Sequence, residues 1–227
     1  MARRPANQPF YPIFVDLNGA SVLVIGGGSV AARKVGSLLS AGATVTVIAP
    51  KVDAEIDAHR EVFGKKLRIL RRVFRSSDIK KQKLVFAATD SKPLNTRIAA
   101  AARGVGILIN VAAPPEAGDI QIPSLVRRGA LCIAVSTGGA SAALAAAWRQ
   151  KLEKIIGPEW TEWVGELEKF RTKILREVRS DDARRELLQE LGQLQWARAV
   201  KTRGLAKVRR DVEALIRSTI RGRPVRK

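Results

Sequence analysis

Over the first 111 residues, short runs of β-branched and aliphatic residues alternate with stretches in which apolar residues recur every three or four positions. The run Ser-Val-Leu-Val-Ile at 21–25 and the run Ala-Thr-Val-Thr-Val-Ile-Ala at 43–49 read as buried parallel strands. Further strands are predicted over 14–17, 67–74, 84–88 and 107–111, with a turn at 76–78. Helices are predicted over 30–40, where Gly42 supplies the stop, and over 51–61 and 94–103. Strands separated by helical segments of about ten residues predict an α/β, Rossmann-like, doubly wound parallel sheet. In such sheets ligands sit beyond the carboxyl ends of the strands, and Lys51, Thr89, Asp90 and Asn110 fall at such ends.

The rhythm changes after Val111. Residues 112–118 form a Pro/Gly-rich connection, and 120–126 and 130–135 read as strands of a smaller unit. Beyond Gly139 the pattern is helical, with a break at Gly157-Pro158. Trp160, Trp163, Val164, Leu167, Phe170 and Ile174 keep near-helical spacing, which predicts core or dimer interface rather than a ligand box. Three regions are expected: 1–111 as a dinucleotide-binding Rossmann-like domain, 112–150 as a small strand-containing dimerisation region, and 151–227 as a helical region with a basic tail. The longest apolar candidate, 130–148, is cut by Ser136-Thr-Gly-Gly139, so no membrane span is expected. Residues 1–10 lack the apolar core of a signal peptide. A single cysteine, Cys132, rules out an intramolecular disulfide, and a cytoplasmic protein is expected.

Within this pattern, Gly26-x-Gly28-x-x-Ala31 joins the strand at 21–25 to the helix that follows. Gly26 lets the chain turn off the strand, Gly28 lets backbone approach a pyrophosphate, and Ala31 lets helix and strand pack closely. The helix N-terminus then offers unpaired N–H groups and its positive dipole end. A second strand-to-helix turn, Ser136-Thr-Gly-Gly-Ala-Ser141, also reads as an anion site, with an ordinary helix cap by Ser141 as the plainer alternative.

The formal net charge is +20. Residues 198–227 carry eleven Lys and Arg against two acids, whereas 148–197 carry ten of each sign. This excess calls for an anionic partner, either a small polyanion or nucleic acid, or is a solvated surface. No RNA- or DNA-binding motif accompanies it, and Trp196 is the one aromatic interleaved near the tail, so nucleic acid is the third-ranked partner.

Together these motifs resemble a known family. Gly26-Gly-Gly-Ser-Val-Ala-Ala-Arg-Lys34, Leu38-Leu-Ser-Ala-Gly-Ala-Thr-Val-Thr-Val-Ile-Ala-Pro50, Ala87-Ala-Thr-Asp90 with Leu94-Asn95, Ile109-Asn-Val111, Pro123-Ser-Leu-Val-Arg-Arg-Gly129 and Ile133-Ala-Val-Ser-Thr-Gly-Gly139 are similar to the precorrin-2 dehydrogenase / sirohydrochlorin ferrochelatase family. That family is the stand-alone counterpart of the N-terminal part of siroheme synthase. The resemblance covers about 12–165, weakens beyond Arg171, and leaves no length for the methyltransferase domain of multifunctional relatives. It implies NAD-dependent oxidation of precorrin-2 to sirohydrochlorin, in some members ferrous iron insertion to give siroheme, and a homodimer. Precorrin-2 is a polycarboxylate, which suits a basic cleft.

Carried over by position, the resemblance implies that Gly26, Gly28, Ser29, Val30, Pro50, Lys51, Thr89 and Asp90 line NAD. It implies that Asn110, Thr137, Gly138 and Ser141 lie at the tetrapyrrole. For Asp90, capping of the following helix is an equal alternative. The acid that usually holds the adenosine ribose is replaced by Pro50-Lys51, with Asp53 beyond it. A lysine here accommodates a 2′-phosphate, so NAD rather than NADP follows from the family and not from these residues.

One position departs from the family. Its members carry an Asp after Asn-Val-Val as general acid/base, and here the run is Asn110-Val-Ala-Ala-Pro114, with Ala113 at that place. Asp119 and Glu116 are substitutes in the same loop, against a solvated-loop alternative. The only histidine, His59, and Cys132 are far apart in sequence and make no His/Cys metal cluster, so no metal ligand is assigned and a partner chelatase stays open. The readings rank as dehydrogenase first, then a catalytically impaired NAD/tetrapyrrole-binding module, then a nucleic-acid binder.

Overall fold

The computed structural model describes residues 10–221. Residues 1–9, on which the signal-peptide expectation largely rests, and 222–227, the end of the basic tail, lie outside the described residues. The chain divides into two compact units between Ile122 and Pro123.

The first unit is built on five parallel strands: β1 (Ser21–Ile25), β2 (Thr44–Ile48), β3 (Leu67–Leu70), β4 (Leu84–Ala87) and β5 (Ile109–Val111). Their order across the sheet is β3-β2-β1-β4-β5. Helices α1 (Ser29–Ser40), α2 (Ala54–Phe63) and α3 (Lys92–Gly104) are the crossovers. Strand alternation decides which helix each side chain meets. Val22 and Val24 of β1 pack with Val35 and Leu39 of α1 and Ile56 of α2, while Leu23 and Ile25 pack with Ile98 and Ala102 of α3. A sheet covered on both faces needs apolar residues at every strand position, and β1 buries four of its five. Each such aliphatic contributes about 1.5–3 kcal/mol relative to exposure.

Three predicted strands differ from those observed. Residues 14–17 form no strand; Phe14 is 75% exposed, and only Leu17 enters the core below α1. Strand β3 stops at Leu70 because Arg72 folds back, its N–H donating to Leu70 O and its guanidinium pairing with Asp78. The strand predicted over 120–126 starts at Ser124, because Ile120 is tied back to β5 and Pro123 has no N–H to offer a ladder. For the same reason 112–122 stays with the first unit: the N–H groups of Asp119 and Ile120 both donate to Ile109 O.

The second unit begins with an antiparallel hairpin of β6 (Ser124–Arg128) and β7 (Leu131–Val135), turned at Gly129 with φ +59°. Five helices follow: α4 (Ala142–Ile155), α5 (Glu159–Glu177), α6 (Asp181–Leu191), α7 (Leu194–Arg203) and α8 (Leu205–Ile220). The aromatic stripe lies in this unit's own core. Trp163, Phe170 and Ile174 of α5 pack with Leu187 of α6, Ala197 of α7 and Val212 of α8. The Trp163 ring stacks on Trp196 with centroids 5.8 Å apart. Glu166, 4% exposed on the same face, accepts from Arg209 Nε and Nη2 of α8 and from Lys169 Nζ. The Arg209 hydrogen bonds hold its carboxyl below the usual carboxylate range against the opposing effect of burial. No helix among the described residues is long and apolar enough to cross a membrane.

Candidate functional site

Strand order reverses direction between β1 and β4, and the crevice at their carboxyl ends is where a doubly wound sheet takes its ligand. The glycine loop lies there, and its three glycines do three different things. Gly26 has φ +123°, and a Cβ on it would stand 2.1 Å from Ala88 O, the carbonyl just past β4. A Cβ on Gly27 would stand 2.0 Å from Lys51 O, just past β2. Gly28 faces open space, with nothing within 4 Å of a Cβ position. The first two therefore let three strand ends close together, and the third leaves an approach to the loop.

Gly28 is also the N-cap of α1, and no side chain caps that helix. Its first-turn N–H groups and dipole end are available to an anion, with Ser29 and Val30 both exposed beside them. Ala31, fully buried against the sheet, has the packing role its size predicts. The loop is braced from β2: Asp53 N–H donates to Gly27 O at 2.7 Å, and the Asp53 carboxylate accepts from Glu55 N–H as the cap of α2. Pro50 and Lys51 are exposed on the segment between them.

The opposite wall is organised by Asn95, which is fully buried. Its Oδ1 accepts from Thr89 N–H at 3.2 Å and from the Thr89 hydroxyl at 2.7 Å. Its Nδ2 donates to Thr89 O at 3.0 Å and to Ala113 O at 2.8 Å. One amide thus locks the loop after β4 to the loop after β5. Ser91, not Asp90, caps α3 through Leu94 N–H, which removes the capping alternative for Asp90. Asp90 is exposed and makes no hydrogen bond or ion pair among the described residues.

Asn110, expected at the substrate, is buried and bonded at both ends of its amide. Lys34 Nζ donates to its Oδ1 at 2.8 Å, and its Nδ2 donates to Ile120 O at 2.9 Å. The bond to Ile120 O holds the returning loop. Lys34 itself lies 5.5 Å from the Phe86 ring centroid, and burial, with neighbouring Arg33, pushes its pKa down. Ala113 is half-buried and offers no ionisable group. The substitute Asp119 accepts from Arg103 Nε at 2.7 Å, while Arg103 also donates to Ala117 O, so this carboxylate is engaged in closing the loop. Glu116 is exposed on a 3₁₀ turn at Pro115–Ala117.

In the second unit, the turn at 136–141 keeps its polar groups to itself. Ser141 caps α4 by accepting from Leu144 N–H, Thr137 Oγ1 accepts from Ser141 N–H and donates to Ser141 O, and Gly138 N–H donates to Ser136 Oγ. The plainer alternative for Ser141, a helix cap, describes this geometry. Gly138 is exposed with φ +66°. His59 packs against Gly36 between α1 and α2, Cys132 is a free thiol in β7, and no group of three or more His, Cys, Asp or Glu among the described residues is placed to hold a metal ion.

Gly27, Lys34 and Asn95 are site residues that sequence reasoning missed. Asn95 had a signal: it sits in the apolar row of α3 with Ile98, Ala99 and Ala102, where a polar residue needs a partner. Gly27 had none, since its constraint comes from a strand distant in sequence.

Comparison with known proteins agrees with this geometry. Residues 13–124 match a family model described as "Putative NAD(P)-binding". The siroheme synthase of Nitrosococcus oceani is 38% identical over 176 residues, covering 78% of this chain and 37% of that protein. The siroheme synthase of Actinobacillus succinogenes is 34% identical over 213 residues, covering 94% of this chain and 44% of that protein. This chain spans about two fifths of the length of these curated relatives. The solved structure of SirC, precorrin-2 dehydrogenase, superposes with a TM-score of 0.72 at 32% identity, covering 90% of this chain and 100% of that one.

Proposed function

Because this chain belongs to the precorrin-2 dehydrogenase family, we propose that it oxidises precorrin-2 to sirohydrochlorin, with NAD as acceptor, as a cytoplasmic homodimer. The observation that carries the reading is the open Gly28 in front of the uncapped α1, at the point where strand order reverses. When bound, NAD supplies the hydride acceptor. Gly28 backbone, the first-turn N–H groups and the Ser29 hydroxyl receive the pyrophosphate, beside Val30. Gly26 keeps the strand ends close, Pro50 and Lys51 border the adenosine end, and the Asn95 clamp fixes Thr89, next to Asp90, along the far wall. Thr137, Gly138 and Ser141 border the tetrapyrrole through backbone groups, their hydroxyls being engaged in the turn. The homodimer is supported by Leu144, Trp148 and Ile155, an exposed apolar row at helical spacing on α4. In this reading nucleic acid is not a partner, and iron insertion falls either to this chain or to a partner chelatase.

Oxidation removes a hydride to the nicotinamide and a proton. Ala113 has no group to take that proton, so it passes to solvent or to a carboxyl of the substrate itself. A positioned general base is worth about 100- to 10,000-fold. Ala113 also favours a second reading, a module that binds NAD and tetrapyrrole with little turnover. An anaerobic assay with precorrin-2 and NAD, following NADH and sirohydrochlorin together, tests both. Stoichiometric formation of the two products above a no-enzyme control is expected, with a rise of about 100-fold or more in Ala113→Asp. Binding of both ligands without products in the wild type selects the second reading, and no product in either protein overturns the dehydrogenase.

A further inference from the structure

We propose that the adenosine end of the dinucleotide site accepts a ribose 2′-phosphate, with Lys51 as its specificity-determining residue, so that the chain takes NADP as well as NAD. The inference rests on the reading of the glycine loop as the dinucleotide site.

In a doubly wound sheet the adenosine ribose lies beyond the end of the second strand, and an acid there holds its 2′-hydroxyl. The loop after β2 contains one acid, Asp53, and the fold has already assigned it. Its carboxylate accepts from Glu55 N–H at 3.0 Å as the cap of α2, and its own N–H donates to Gly27 O. The next acids belong to α2, beyond the loop: Glu55 stands 3.7 Å from His59 Nε2, outside hydrogen-bond distance, and Asp57 receives both Arg71 hydrogen bonds. A carboxylate on the 2′-hydroxyl is therefore not what this loop presents.

It presents a cation. Lys51 is exposed, and its ammonium makes no hydrogen bond or ion pair among the described residues. Its backbone is fixed at the rim of the crevice, since Lys51 O stands 2.0 Å from a Cβ built on Gly27 and Asp53 N–H ties the same segment to Gly27 O. An ammonium carried on backbone fixed at this rim, with no carboxylate partner of its own, favours a dianionic phosphate over a neutral hydroxyl.

The test is calorimetric titration of the full chain with adenosine 2′,5′-bisphosphate and with 5′-AMP, which differ only in the 2′-phosphate. The bisphosphate is expected to bind at least tenfold more tightly, as about one charge-assisted contact provides. That preference should weaken with added salt, fall about tenfold in Lys51→Ala and invert in Lys51→Glu. Equal binding of the two nucleotides, or a preference that Lys51→Ala leaves unchanged, overturns the 2′-phosphate assignment while the dinucleotide site stands. Binding of neither nucleotide by folded protein overturns the dinucleotide reading and this inference with it.

Discussion

The two strand-to-helix turns of this chain, 26–29 and 136–141, are written in similar residues and end in opposite chemistry. Both set glycines and small hydroxyl residues between an apolar strand and a helix. In the first, the capping position is Gly28, no side chain satisfies the helix N–H groups, and the space in front is open. In the second, Ser141 occupies the capping position and its hydroxyl already holds Leu144 N–H, while Thr137 closes the loop on itself. A helix end is available to a ligand to the extent that its own sequence leaves it unsatisfied. Small hydroxyl residues near a helix start are therefore weaker signs of a binding turn than a glycine at the cap itself.

Substitutions separate the two turns. Gly26→Val should have the largest effect, because it combines a left-handed φ with a collision against Ala88 O; we expect a loss of about 3 kcal/mol or more by chemical denaturation, together with loss of nucleotide binding. Next is Glu166→Gln, which leaves Arg209 without its buried carboxylate and should cost the second unit about 2 kcal/mol at neutral pH with nucleotide binding intact. Folding depresses the Glu166 pKa, so its contribution is present above the ordinary glutamate range and is lost as pH falls through the folded value. The denaturation midpoints of wild type and Glu166→Gln should accordingly converge in acid. Gly28→Val places its side chain in open space, and should weaken dinucleotide binding about tenfold or more while the poorer N-cap costs only about 1 kcal/mol of stability. The smallest change is Ser141→Ala, about 1 kcal/mol of stability for the lost cap and none in nucleotide affinity.

Much of the first unit was legible because its determinants are local. A continuous apolar run along β1, a strand-glycine-helix junction and helices of about ten residues suffice to predict a parallel sheet. The miss at 14–17 has the same physics in reverse: Phe14-Val-Asp-Leu17 has strand composition but no neighbouring strand to pair with. In the site, the glycines could be read from their spacing, whereas the roles of Asn110 and Asp119 could not. Their partners, Lys34 and Arg103, come from helices elsewhere in the chain, and only the tertiary fold brings these polar groups together. The aromatic stripe of α5 was legible as packing, but its partners on α6, α7 and α8 were not.

The most direct measurement of the central claim is a fluorescence titration of NADH into wild type, Gly28→Val and Ser141→Ala under one set of conditions. Saturable binding by wild type and Ser141→Ala, lost or weakened at least tenfold in Gly28→Val with its fold intact, is the predicted result. Undiminished binding by Gly28→Val, or loss of binding in Ser141→Ala alone, would contradict the assignment of the dinucleotide to the glycine loop.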